Sequence, residues 1–133
     1  MQALEKGLGL PESTITSKCC KQLYNQTIRY LYYPEVDDET LQKTGKIRCG
    51  AHSDYGTVTL LFQKPGFGQN GLRALNSEKQ WVRVEPPDYA MVVNLGDLFQ
   101  HWTNDFLLST IHRVEVDEKV IEKLEKGEIE KAP

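Results

Sequence analysis

Apolar and polar residues alternate over short stretches of this chain, and turn-forming residues interrupt the pattern every few positions. The N-terminus differs: residues 2–8 (QALEKGL) read as the last turns of a helix, stopped by Gly9 and Pro11. Ser13–Asn25 is weakly helical, with Ser13 as its cap. From Thr27 the signals become β-type. Thr27–Tyr33 (TIRYLYY) is aromatic and β-branched and stops at Pro34. Residues 35–46 (EVDDETLQKTGK) are polar and predict a loop, and Thr57–Phe62 (TVTLLF) predicts a strand. The following KPGFGQNG is turn chemistry, with Gly66, Gly68 and Gly71 lacking the spacing of a phosphate loop. Trp81–Val84 is a short strand ending before the Pro86–Pro87 pair, and Tyr89–Leu95 (YAMVVNL) is a nearly continuous apolar one. Leu98–Thr103 can form one helical turn, Leu108–Val116 a further strand, and Val120, Ile121 and Leu124 a short final helix.

Short strands joined by Gly, Pro and Asn turns, with no helices alternating between them, predict a mainly β sandwich or jelly roll with short flanking helices. A chain of 133 residues holds one modest domain. The pattern divides it into a helical lead-in (1–25), a β core (26–116) and a charged helical tail (117–133).

Charge changes this picture little. Residues 1–114 are neutral, and the net charge of −3 comes entirely from residues 115–133, with seven acidic and four basic side chains. No basic footprint for nucleic acid is present. No apolar run approaches the roughly 20 residues of a membrane span, and no secretory signal opens the chain. A cytoplasmic protein is the expectation. Three cysteines (Cys19, Cys20, Cys49) without a C-x-x-C pair suit neither a disulfide framework nor a thiolate zinc site. Cys19 and Cys20 read as thiols packed in a helical turn.

Candidate chemistry lies in His52-Ser53-Asp54, just before a strand. Side chains at i and i+2 of an extended chain share a face, so an imidazole and a carboxylate converge. Continued, that parity gives Gly56, Val58, Leu60 and Phe62, which places both polar groups on the core side. His112 shares its parity with Leu108, Val114 and Val116 and so points inward, while Arg113, with Glu115 on the other face, does not. A lone histidine on an apolar strand is usually a packed core residue, and H-x-D alone recurs by chance. All three together, as H-x-D-x57-H, match the two-histidine, one-carboxylate facial triad of non-haem Fe(II) centres. Trp81 and Trp102 read as packing residues, His101 as a polar residue without a ligand role, and Asn94-Leu95-Gly96-Asp97 as a strand end with turn residues.

The successive segments AHSDYGTVTLLFQ, GLRALNSEKQWVRVEPP, AMVVNLGDLFQHWTN and STIHRV resemble signatures of the 2-oxoglutarate/Fe(II)-dependent oxygenase superfamily, in its isopenicillin-N-synthase-like branch. The resemblance runs in order from Ile28 to Val116. It implies a double-stranded β-helix (jelly roll), incomplete at its C-terminal end. Iron is then held by His52, Asp54 and His112, with 2-oxoglutarate and O₂ as cosubstrates and a small organic molecule as substrate. IRYLYYP resembles the strand whose tyrosine meets the far carboxylate of 2-oxoglutarate, and Tyr33 stands at that position.

The same resemblance calls for an R-x-S motif about ten residues past the last histidine, where a guanidinium forks onto that carboxylate. Glu122 stands at that distance instead, and no arginine follows Arg113. The chain therefore reads as a fragment of an oxygenase. Alternatively, it is an inactive metal-binding relative or interaction module that keeps the scaffold without the arginine. A cupin-like metal isomerase would need further ligands close to His52. An unclosed jelly roll would also expose strand edges and invite self-association.

Overall fold

A computed structural model of the protein describes residues 1–19, 26–63 and 71–132. These form two compact units, Met1–Tyr32 and Tyr33–Pro133. In the first, helix α1 (Gln2–Gly7) and the single turn α2 (Thr16–Cys19) are joined through a buried acid. Glu5 is 2% exposed, and its Oε1 accepts the amide N–H groups of Ile15 and Thr16, both at 2.6 Å. These donors, Thr16 first, hold its carboxyl below the ordinary glutamate value.

Ser13 does not cap a helix. It sits at φ +64, and the helical turn begins three residues later. The rest of the helix expected to Asn25, with Cys20, lies outside the described residues, as does most of the turn around Gly66 and Gly68. Thr27–Tyr33 is not a strand. Ile28, Tyr30 and Tyr32 are 86%, 94% and 84% exposed, and no described residue pairs with them. β-propensity measures fit to a pleated surface and cannot supply the neighbouring ladder.

In the second unit, the loop expected at 35–46 is largely helix α3 (Asp38–Thr44). Its signals are local. Asp37 caps it by accepting the Thr40 N–H, Gly45 ends it at φ +74, and Asp38–Gln42 and Glu39–Lys43 bridge one turn. Strand β1 (Ile47–His52) follows, then β2 (Val58–Leu61), β3 (Leu72–Leu75), β4 (Trp81–Arg83) and β5 (Val92–Leu95). Helix α4 (Asp97–Trp102), strand β6 (His112–Glu115) and helix α5 (Glu118–Glu125) complete the order. The strands form an antiparallel four-stranded sheet, β1-β6-β3-β4, and an antiparallel pair, β2-β5. Leu41 of α3 packs with Val116, Val120, Leu124 and Ala132, so the main apolar cluster lies between α3 and α5. No helix among the described residues is long and apolar enough to cross a membrane.

Two expectations about faces are corrected. Leu60 and Phe62 are 53% and 74% exposed, so the even-numbered face of β2 is not the core side. The chain bends at residues 55–57, and a bend resets the alternation carried forward from His52. On β6, the face carrying Arg113 and Glu115 is not left to solvent. Arg113, Arg73 and Arg83 stand directly opposite one another on β6, β3 and β4, over the buried carboxylates of Glu115 and Asp117. Opposite charges, with Trp81 stacked on Arg113, fill that side.

Candidate metal centre

The strand arrangement brings His52, Asp54 and His112 together. Across the four-stranded sheet, His52 pairs with His112, and His112 with Ala74. Between Cys49 and His52 the register slips against β6. This β-bulge re-aims the side chain that follows it. The two imidazole rings then lie 4.4 Å apart at 54°, with the small Ala74 leaving room beside them.

Both rings are held in the tautomer that ligation needs. Nδ1–H of His52 donates to the Gly50 carbonyl at 2.8 Å, and that of His112 to the Thr110 carbonyl at 2.9 Å. A backbone carbonyl can only accept, so in the neutral ring the proton sits on Nδ1 and Nε2 carries the lone pair. Both Nε2 atoms face one oxygen, Asp54 Oδ1, at 3.9 Å and 3.8 Å. The donor atoms of all three residues lie within 4.8 Å of one another. Ligands at right angles on an ion about 2.1 Å away would be about 3 Å apart, so less than an ångström of closure separates the carboxylate and each imidazole from a coordinating distance. Two neutral imidazoles and one carboxylate suit Fe(II), and they leave coordination positions open.

Asp54 is itself held in place. Its Oδ2 accepts from Thr59 Oγ1 and from Asn94 Nδ2, each at 2.7 Å. Burial opposes the charge, but these two donors and the two imidazoles outweigh it and hold the carboxyl below its ordinary value. The Asp54 carbonyl accepts the Asp97 N–H at 2.7 Å, and Ser53 Oγ donates to Asp97 Oδ2 at 3.1 Å. The Asn94–Asp97 segment, expected to be a plain strand end, is thus a support of the site. Its mark in the sequence is the single polar residue in β5.

Gly96 makes this contact possible. A Cβ there would lie 2.3 Å from the Gly56 carbonyl oxygen and 2.7 Å from that of Asp54. Gly96→Ala is therefore expected to push the Asp54 backbone away and to weaken divalent-metal affinity by at least tenfold. Calorimetric titration against wild type is the check, and unchanged affinity would show that the loop yields freely.

Tyr33 is half-buried beside Cys49, whose Sγ lies 3.9 Å from His52 Nδ1. Burial, with Cys49 alongside, pushes the Tyr33 hydroxyl up in pKa, and Arg48 acts in the opposite direction. The Arg48 guanidinium lies 6.0 Å from the Tyr33 ring centre and donates to the Pro34 carbonyl. Trp81 packs against Arg113 at 4.1 Å, and His101 is exposed on α4 and is not one of the group of three. A cavity of about 360 Å³ lies on the opposite face of the sheet, among Lys46, Arg73, Trp81, Arg83 and Arg113. Its arginines are ion-paired, so it belongs to the packing of that face.

Comparison with known proteins agrees with this geometry. The family profile of the 2OG-Fe(II) oxygenase superfamily matches residues 24–122. The "2-oxoglutarate-Fe(II) type oxidoreductase ppzD" of Metarhizium rileyi is 39% identical over 119 residues, covering 89% of this chain and 33% of its own length. The "Validamycin A dioxygenase" of Streptomyces hygroscopicus subsp. limoneus is 34% identical over 114 residues, covering 86% of this chain and 30% of its own length. Among solved structures, a full-length Neurospora crassa protein in complex with alpha-KG is 39% identical with a TM-score of 0.58, over 65% of this chain and 26% of that one. The chain thus spans about a third of the length of these curated relatives. The expected jelly roll agrees with these neighbours and with the antiparallel sheets. From the ordered match of motifs and the profile that covers most of its residues, the chain belongs to the 2OG-Fe(II) oxygenase superfamily.

Proposed function

We propose that His52, Asp54 and His112 bind Fe(II), and that this chain supplies the iron-binding part of an oxygenase acting on a small organic molecule. One observation carries the reading: a single carboxylate oxygen faces two imidazole nitrogens whose other nitrogens are already tied to backbone carbonyls. Iron bound there, with 2-oxoglutarate and O₂, supplies oxidative decarboxylation to succinate and CO₂ and an oxidising equivalent for the substrate.

The chain's own residues set the conditions for that chemistry. The bulge before His52 and the Asp97–Asp54 backbone bond set where the three side chains meet, and three such ligands would leave positions on a bound ion for small molecules. Tyr33, beside Cys49, is proposed to offer its hydroxyl to the far carboxylate of 2-oxoglutarate. The name of the Streptomyces relative, a validamycin A dioxygenase, supports a small-molecule substrate over a macromolecule.

Anaerobic Fe(II) titration with and without 2-oxoglutarate, followed by a succinate assay, tests the proposal. Wild type is expected to take up one Fe(II) per chain, and His52→Ala none. Absence of uptake by wild type would overturn the reading. Uptake without succinate would restrict the chain to metal binding.

A further inference from the structure

In β2 (Val58-Thr59-Leu60-Leu61) and in β5 (Val92-Val93-Asn94-Leu95) one residue of four is polar. Those two residues stand directly opposite each other in the antiparallel register. Both donate to the same atom, Asp54 Oδ2, at 2.7 Å. Neither strand carries a metal-ligand candidate, and nothing in strand pairing requires a polar residue at these positions. An ionised carboxylate has about two acceptor sites on each oxygen. Two donors therefore fill Oδ2, while Oδ1, turned toward both Nε2 atoms, keeps its sites for an ion.

We propose that Thr59 and Asn94 are positioning residues that hold Asp54 to coordination through one oxygen. The inference rests on the reading of His52, Asp54 and His112 as the metal ligands. A carboxylate freed at Oδ2 can rotate and grip an ion with both oxygens. Each further position it takes on the ion is one lost to solvent or to a cosubstrate that must chelate. The cross-strand donor pair thus preserves open positions on the ion, a task distinct from raising metal affinity.

The test replaces both donors with apolar residues of similar size, Thr59→Val with Asn94→Leu, and uses Mn(II) as the probe. Two quantities are measured: Mn(II) affinity, and the water-proton relaxivity per bound ion, which counts exchangeable waters. A facial triad with one-oxygen aspartate leaves about three positions for water on a six-coordinate ion, and two-oxygen aspartate leaves about two. The double variant is expected to keep Mn(II) affinity within a few-fold of wild type while relaxivity per bound ion falls by about a third. Thr59→Ser, which restores the hydroxyl, is expected to match wild type. Should the double variant not fold, Thr59→Val alone still frees one site on Oδ2 and is expected to lower relaxivity in part.

Wild-type relaxivity per bound ion in the folded variants would overturn the proposal, even if affinity had dropped, because the donors would then only orient the carboxylate. Failure of wild-type protein to bind Mn(II) or Fe(II) at all would instead bring down the parent reading of the triad, and this inference with it.

Discussion

Arg73→Met is expected to destabilise the second unit by about 3–5 kcal/mol, the range for removing one partner from a buried ion pair. Arg73 is 8% exposed. Its Nε lies 3.0 Å from Glu115 Oε1 and its Nη2 3.3 Å from Asp117 Oδ2. Both carboxylates have only 4% of their side-chain surface exposed, so water cannot take over when the guanidinium goes. Arg83, at 2.5 Å from Asp117, and Arg113, at 2.8 Å from Glu115, remain. Each still neutralises one of the two acids, which places the effect toward the lower end of the range, although both are more exposed than Arg73 and neither bridges the pair. Domains are typically stable by about 5–15 kcal/mol, so even that loss removes a large share. Urea unfolding of the variant is the check. A loss under about 1 kcal/mol would mean that the cluster behaves as a screened surface network.

This cluster shows where the sequence stops being legible. Parity correctly puts Arg113 and Glu115 together and opposite His112. The reading of that side as turned away from the interior then fails, because the pairing of β6 with β3 and of β3 with β4 lines up Arg113, Arg73 and Arg83 from three strands. Only the strand order reveals that the acids neutralise them. Asp117 adds a second role invisible to periodicity. Its Oδ1 caps α5 through the Lys119 N–H at 3.0 Å while its Oδ2 meets two arginines.

The site is legible in part for a different reason. H-x-D and a distant histidine are residue types with few common uses in combination, so the meeting of His52, Asp54 and His112 can be anticipated without a correct map of the strands. Parity nevertheless misplaces the Asp54 carboxylate, on the face of Val58 and Leu60, whereas its partners are Thr59 and Asn94. The bend at 55–57 is the reason, and the lone polar residue in each of two apolar strands is the better clue. Strand β1 leaves little trace in the sequence because IRCGAH has little apolar alternation. Its pairing with β6, slipped at the bulge, depends on a partner about sixty residues away.

Metal binding should also be visible as stability. The candidate ligands come from the end of β1, the turn after it and the start of β6. An ion there would tie together segments that in the unfolded chain cannot hold it. A ligand bound only by the folded state stabilises by RT ln(1 + [L]/Kd), about 2.7 kcal/mol at a hundredfold excess over Kd. For a unit of this size that corresponds to a rise in Tm of about 10–20 °C, at about 4–8 °C per kcal/mol. His112→Ala is expected to abolish the rise, because two donors remain and the ring facing His52 is gone. The variant without metal should melt close to metal-free wild type, since His112 is only half-buried and lies outside the α3–α5 core. Thermal melts with Zn(II) or Co(II), under conditions that prevent oxidation, make the measurement. An equal rise in wild type and His112→Ala would place the bound ion elsewhere on the chain.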